Sequence, residues 1–143
     1  MRTRHLVRSL WMAGIVLALV ASPRAAGAYV AMALHIPENA IAGQSSAINA
    51  DGVSAGWYQT LHTAVAVRWD AQGTMMSLGS LSSLHSSIAN GINDAGTIVG
   101  YAFTNDHLKS RAFVWHAATG MQALDDLGVN TSFAQAINAA CTI

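Results

Sequence analysis

The sequence contains a single cysteine, Cys141, which excludes an internal disulfide framework of the kind small exported domains often depend on. Stability must come from packing or from another chain. Charge is scarce too. Asp, Glu, Lys and Arg make up 10% of the 143 residues, which suits closely packed strands better than a solvated helical bundle. Beyond the N-terminal region no segment carries a capped helical stripe of period 3.6. No clustered Lys and Arg form a surface for nucleic acid or anionic membrane.

The N-terminus differs in kind from the rest of the chain. Arg2, Arg4 and Arg8 precede an uncharged apolar run at residues 10–21, then Ser22-Pro23 and the small residues Ala26-Gly27-Ala28. That order is the pattern of a secretory signal peptide, with cleavage expected after Ala28. The run is shorter than the roughly 20 residues of a spanning helix. The expected location is therefore secreted, periplasmic or extracellular, with no membrane contact beyond the signal. Residues 29–143 keep only Arg68, Lys109 and Arg111 as strong bases against all seven acidic residues, so this portion is net acidic.

What the sequence does have is repetition. "AINADGVSAGWY" at 47–58 returns as "GINDAGTIVGYA" at 91–102, and "AINAACTI" begins again at 136. Ile48-Asn49 recurs as Ile92-Asn93 and Ile137-Asn138, Gly52 as Gly96, and Gly56 as Gly100. Trp69 recurs as Trp115, and Leu78-Gly79 as Leu127-Gly128. A period in this range indicates an array of equivalent units.

Each unit parses into four strands. Asn-Ala-Asp-Gly and Asn-Asp-Ala-Gly are turn tetrapeptides, with Gly taking positive φ. The strands "VSAGWY" and "TIVGYAF" carry a mid-strand Gly, which predicts close approach of another backbone. In "AVAVRW" and "RAFVW", Val67 and Phe113 share a face with Trp69 and Trp115, while Ala66 and Ala112 point the other way. The tryptophans on that face read as core. "TMMSLG" and "MQALDDLG" supply the fourth strand. The expected fold is all-β, of antiparallel four-stranded units of about 45 residues, propeller-like but incomplete at about two and a half units. The organisation expected is a signal at 1–28, a half unit at 29–56, and units at about 57–100 and 101–143, the last truncated.

"INDAGTIVGYA", "RAFVW", the Gly-Met pair and "DLG" resemble the HAF-repeat extracellular proteins. Units of that family read Ile-Asn-x-x-Gly-x-Val-Val-Gly-Tyr, then His/Arg-Ala-Phe-x-Trp, then Met-x-Asp-Leu-Gly. The resemblance spans residues 29–143 and is strongest over 91–128; "VAVRW" departs from it, with Val67 where the aromatic stands. It implies bacterial export and a repeated, propeller-like β fold. It implies no activity and transfers no site residues.

The chemistry-bearing residues form no constellation in the sequence. His35, His62, His85, His107 and His116 are scattered, without metal-ligand spacing. The Asn-Asp-Ala-Gly turns lack the alternating carboxylates and terminal Glu of a calcium loop. "GSLSSLHSS" at 79–87 has no nucleophile elbow and no placed acid, and reads as a serine-rich loop. Asp125 and Asp126 are adjacent on a strand, so their side chains diverge and cannot flank one bond. The expectation is a non-catalytic binding or structural module without cofactor or metal. The alternatives are an extracellular hydrolase on a β-propeller scaffold and a truncated product with no function of its own. Trp57 and Tyr101, each following the repeated Gly, are the candidate ligand-stacking residues. The partner expected is a glycan or a protein, with self-association through exposed repeat ends. Cys141 falls where the earlier units have Gly, and residues 139–143 are expected to fray, leaving its thiol accessible.

Overall fold

The computed structural model describes residues 15–21, 29–125, 128–141 and 143. Ten strands are present and no helix among these residues. β1 (Ile15–Ala21) and β2 (Tyr29–His35) form an antiparallel pair; β1 lies inside the segment read as an export signal. β3 (Ala42–Ile48), β4 (Ser54–Gln59), β5 (Ala64–Trp69) and β6 (Met75–Gly79) form one antiparallel meander. β7 (Ser86–Ile92), β8 (Ile98–Phe103), β9 (Ser110–His116) and β10 (Gly120–Ala123) form a second. Neither four-stranded sheet closes on itself.

The two sheets share their order and one irregularity, while a second register shift, between Ala66 and Val67 in β5, occurs in the first sheet alone. The first strand of each carries a β-bulge, between Ser45 and Ala47 in β3 and between Ala89 and Gly91 in β7. The repeated glycines Gly56 and Gly100 lie opposite these bulges. A Cβ on Gly56 would sit 1.9 Å from the Gln44 carbonyl oxygen, and one on Gly100 would sit 2.0 Å from that of Ile88. The backbone approach expected from the mid-strand glycines is therefore that of the neighbouring bulge.

Layers stack in chain order. The large face of β5, with Val67 and Trp69 fully buried, packs against Leu34 and Ile36, and the Trp69 indole N–H donates to the His35 carbonyl at 2.7 Å. Its small face, at Ala66, joins Ala55 and Leu78 under Ile98, Phe113 and Trp115 of the second sheet. Arg68, also on this side, stands 5.9 Å from the centre of the Trp115 ring. The second sheet repeats the arrangement: Ala112 and Val99 turn outward and meet Ala134 and Ile137. Large residues of one unit thus fill the hollow over small residues of the unit before. The alternation read from "AVAVRW" and "RAFVW" is this packing, and both tryptophans are core.

Polar side chains lock the stack at the same interval. Asn49 accepts the Val53 N–H with its Oδ1 (2.9 Å) and donates from Nδ2 to the Asn93 carbonyl (3.2 Å). Asn93 in turn accepts the Thr97 N–H (2.9 Å) and donates to the Asn138 carbonyl (3.2 Å). Each Asn closes its own turn and ties it to the next. Serines do the same at the opposite end of the strands. Ser87 Oγ accepts the Ala66 N–H at 3.0 Å, and Ser132 Oγ accepts the Ala112 N–H at 2.9 Å.

The expected fraying of residues 139–143 is not what the chain does at 138–141. The Cys141 N–H donates to the Asn138 carbonyl at 3.1 Å, as Gly52 does to Asn49 and Gly96 to Asn93. Cys141 holds φ 59°, beside 78° and 76° at the two glycines. The bond from Asn93 to the Asn138 carbonyl holds this turn in line with the two before it. The thiol is exposed, as expected.

Candidate functional site

Trp57 and Tyr101 occupy equivalent positions, one residue after Gly56 and Gly100. Trp57 lies in register with Gln44 and Ala66, and Tyr101 with Ile88 and Ala112. Alternation along β4 and β8 puts them on the same sides as Ala55 and Val99, but near the loop end, where the covering layer thins. Both are only partly buried. They line one cleft of about 460 Å³. Its walls are the 60–63 turn of the first sheet and the 104–109 loop of the second, with Ile88 and Phe103 also lining it.

Each wall is shaped by local hydrogen bonding. Thr60 Oγ1 accepts the N–H groups of His62 (3.3 Å) and Thr63 (3.1 Å), closing the shorter turn. In the longer loop the Asp106 carboxylate accepts the Thr104 hydroxyl and the Leu108 N–H. These bonds, the Thr104 hydroxyl foremost, hold Asp106 below the usual carboxylate range. His107 sits at φ 58° in this loop, and its ring stacks on Phe103 with centroids 4.8 Å apart. Phe103 adjoins Tyr101 (5.6 Å), and Tyr101 meets the edge of Phe133 (4.7 Å). Four rings thus run in continuous contact along one side of the second sheet.

The lining combines ring faces with neutral amides and hydroxyls. Gln59, Asn105 and Thr63 line the cleft beside Trp57 and Tyr101, together with His62 and His107. Partial burial raises the Tyr101 pKa above the ordinary phenol value, so its hydroxyl stays protonated and able to donate. Ser86, at the floor, accepts the Ala64 N–H and reaches Asn105 Oδ1; it is tied into the scaffold.

The other sequence candidates stand apart from this cleft. His35, His85 and His116 do not line it, and no group of three metal-ligating side chains occurs among the described residues. Within "GSLSSLHSS", Ser86 and Ser87 are bonded between the sheets, and His85 is exposed. Asp125 is exposed, and Asp126 lies outside the described residues. Sequence reasoning missed Phe103 and the placement of His62 and His107. The signal for Phe103 was available: it follows Tyr101 by two residues and so shares its face.

No protein-family model matches the chain, and neither does any curated protein or solved structure.

Proposed function

We propose that this protein is an exported, non-catalytic binding module of propeller-like β-repeat units, and that it holds a neutral saccharide in the cleft at the loop ends of its two sheets. The HAF-repeat resemblance and the signal-like N-terminus support export and the repeat reading. One observation carries the binding site. Trp57 and Tyr101, equivalent residues of different units, line the same cleft, with amides and hydroxyls between them. Partly exposed ring faces offer apolar area to the C–H face of a sugar, and neutral hydrogen-bonding groups match its hydroxyls without a charge requirement. Hydrolysis would need a placed acid as well as a nucleophile or base. The cleft lining includes no Asp or Glu, and its Ser86 is committed to the scaffold.

A glycan array tests the reading, run with the parent chain and with Trp57→Ala and Tyr101→Ala. Binding of a defined set of oligosaccharides by the parent, lost in both variants while their melting transitions persist, is the expected result. Binding that survives both substitutions, or a parent that retains no glycan, would overturn it.

A further inference from the structure

We infer that the outer side of the second sheet, with the docked segment 131–138, is a receptor for a β-hairpin of the β8–β9 kind, carried by a further repeat unit of this same sequence type. The inference rests on the packing between the two sheets as a template. In that interface Ala55, Ala66 and Leu78 lie below, Ala89 and Ile92 of β7 lie alongside, and Ile98, Phe113 and Trp115 of the β8–β9 hairpin fill the space between. On the outer side the lower and lateral parts recur in order: Val99 for Ala55, Ala112 for Ala66, Ala134 for Ala89 and Ile137 for Ile92. Leu124 stands for Leu78, correcting the sequence alignment with Leu127, because Met121 pairs with Trp115 as Met75 pairs with Trp69. The filling part has no counterpart there among the described residues. A groove of about 650 Å³ lies in its place, lined by Ala112, Leu124, Phe133, Ala134 and Ala136, with Ile143 at its mouth.

The segment 131–138 is already set in the β7 position. Ser132 accepts from Ala112 as Ser87 accepts from Ala66, and Asn138 is held by Asn93 as Asn93 is held by Asn49. Its Ser132 and Ala134 N–H groups donate to the Ser110 and Gly100 carbonyls, and Ser110 bridges Thr131, but no described strand pairs with it as β8 pairs with β7. Phe133 and Ile143 are about half exposed. The template also specifies the guest. In both completed sheets the strand facing the bulge carries Gly, because a Cβ would collide with a carbonyl oxygen about 2 Å away. The guest therefore needs Gly opposite Ala134, a β-branched residue two positions before it, and a second strand bringing an aromatic pair over Ala112 and Leu124. Strand addition supplies main-chain hydrogen bonds, and the aromatic pair supplies selectivity.

The test adds a synthetic peptide of residues 97–116, the β8–β9 hairpin, to the full chain. Binding is followed by titration and located by amide hydrogen exchange. Saturable binding that adds protection within 131–137 at amides other than those of Ser132 and Ala134, which already bond to the second sheet, is expected. The same peptide carrying Gly100→Val should bind at least about tenfold more weakly, and so should one carrying Phe113→Ala. These changes are in the peptide, so the protein's own folding is untouched. Three results would each overturn the inference: no saturable binding of the parent peptide, equal binding of the Gly100→Val peptide, or protection confined to other strands. Self-association of the chain that protects 131–137 and excludes the peptide would also overturn it, since the occupant would then be a second copy.

Discussion

Replacing Asn93 by Ala removes three bonds that serve different purposes, the weakest of them from its Nδ2 to the Cys141 sulfur at 3.6 Å. Its Oδ1 accepts the Thr97 N–H at 2.9 Å within its own turn, and its Nδ2 donates to the Asn138 carbonyl 3.2 Å away in the next. Asn93 and Thr97 are each about 95% buried, so water cannot readily replace the lost acceptor. An orphaned buried N–H costs about 1–3 kcal/mol, and loss of the second bond adds about 0.5–1.5. Asn93→Ala should therefore destabilise the chain by about 2–4 kcal/mol. Asn49→Ala breaks the equivalent bonds at a more exposed site, and about 1 kcal/mol is expected there because water compensates. Asn93→Asp separates the two purposes. It keeps an acceptor for Thr97 but loses the donor, and it turns a carboxylate toward the Asn138 carbonyl. Urea unfolding followed by the emission of the buried Trp69 and Trp115 gives the midpoints, with the m-value checked for constancy. A midpoint for Asn93→Ala equivalent to less than about 0.5 kcal/mol of destabilisation, the range of an ordinary surface change, would refute the reasoning. So would Asn49→Ala proving the costlier substitution.

Ile92→Ala, in the cluster between the sheets, should cost about 2–4 kcal/mol in thermal or chemical unfolding; a transition matching the parent would contradict the packing. Gly100→Ala should destabilise more than Gly96→Ala. The first meets a carbonyl oxygen, whereas the second has open space and bears only the strain of φ +76°, about 1 kcal/mol; the reverse order in paired melts would count against the bulge argument. Cys141 is exposed and should label rapidly with a thiol reagent in the native chain, with slow labelling contradicting its placement. Cys141→Gly should raise stability by about 1 kcal/mol by relieving φ 59°, and a loss of stability would show that this turn does not form.

The strands were legible because their signals are local. Asn-x-x-Gly turns end one strand and start the next, and the alternation in "AVAVRW" and "RAFVW" already separated the large face from the small one. The all-β fold and the four-strand count of each unit follow from these. A repeat fixes the period and leaves the phase free; the sheets run 42–79 and 86–123. The bonds between units were not legible. Turn chemistry alone accounts for Asn49 and Asn93, so nothing in the sequence signals that the same side chains also reach across 44 or 45 residues. The serines were misleading for the same reason. Ser86, Ser87 and Ser132 look like loop composition, but they satisfy backbone N–H groups of the preceding unit. Of the candidate site, Trp57 and Tyr101 could be named from their register. That they share one cleft depends on how the two sheets stack, and a sequence period does not encode that.

The most direct test of the saccharide cleft is a titration of the ¹⁵N-labelled chain with the tightest-binding oligosaccharide from the array, read at the tryptophan indole N–H resonances. Trp57 lines the cleft, whereas Trp69 and Trp115 are buried between layers, the former bonded to His35. A saturable shift of the Trp57 resonance is expected, with those of Trp69 and Trp115 staying in place. A titration that leaves Trp57 unmoved while the sugar binds would contradict it.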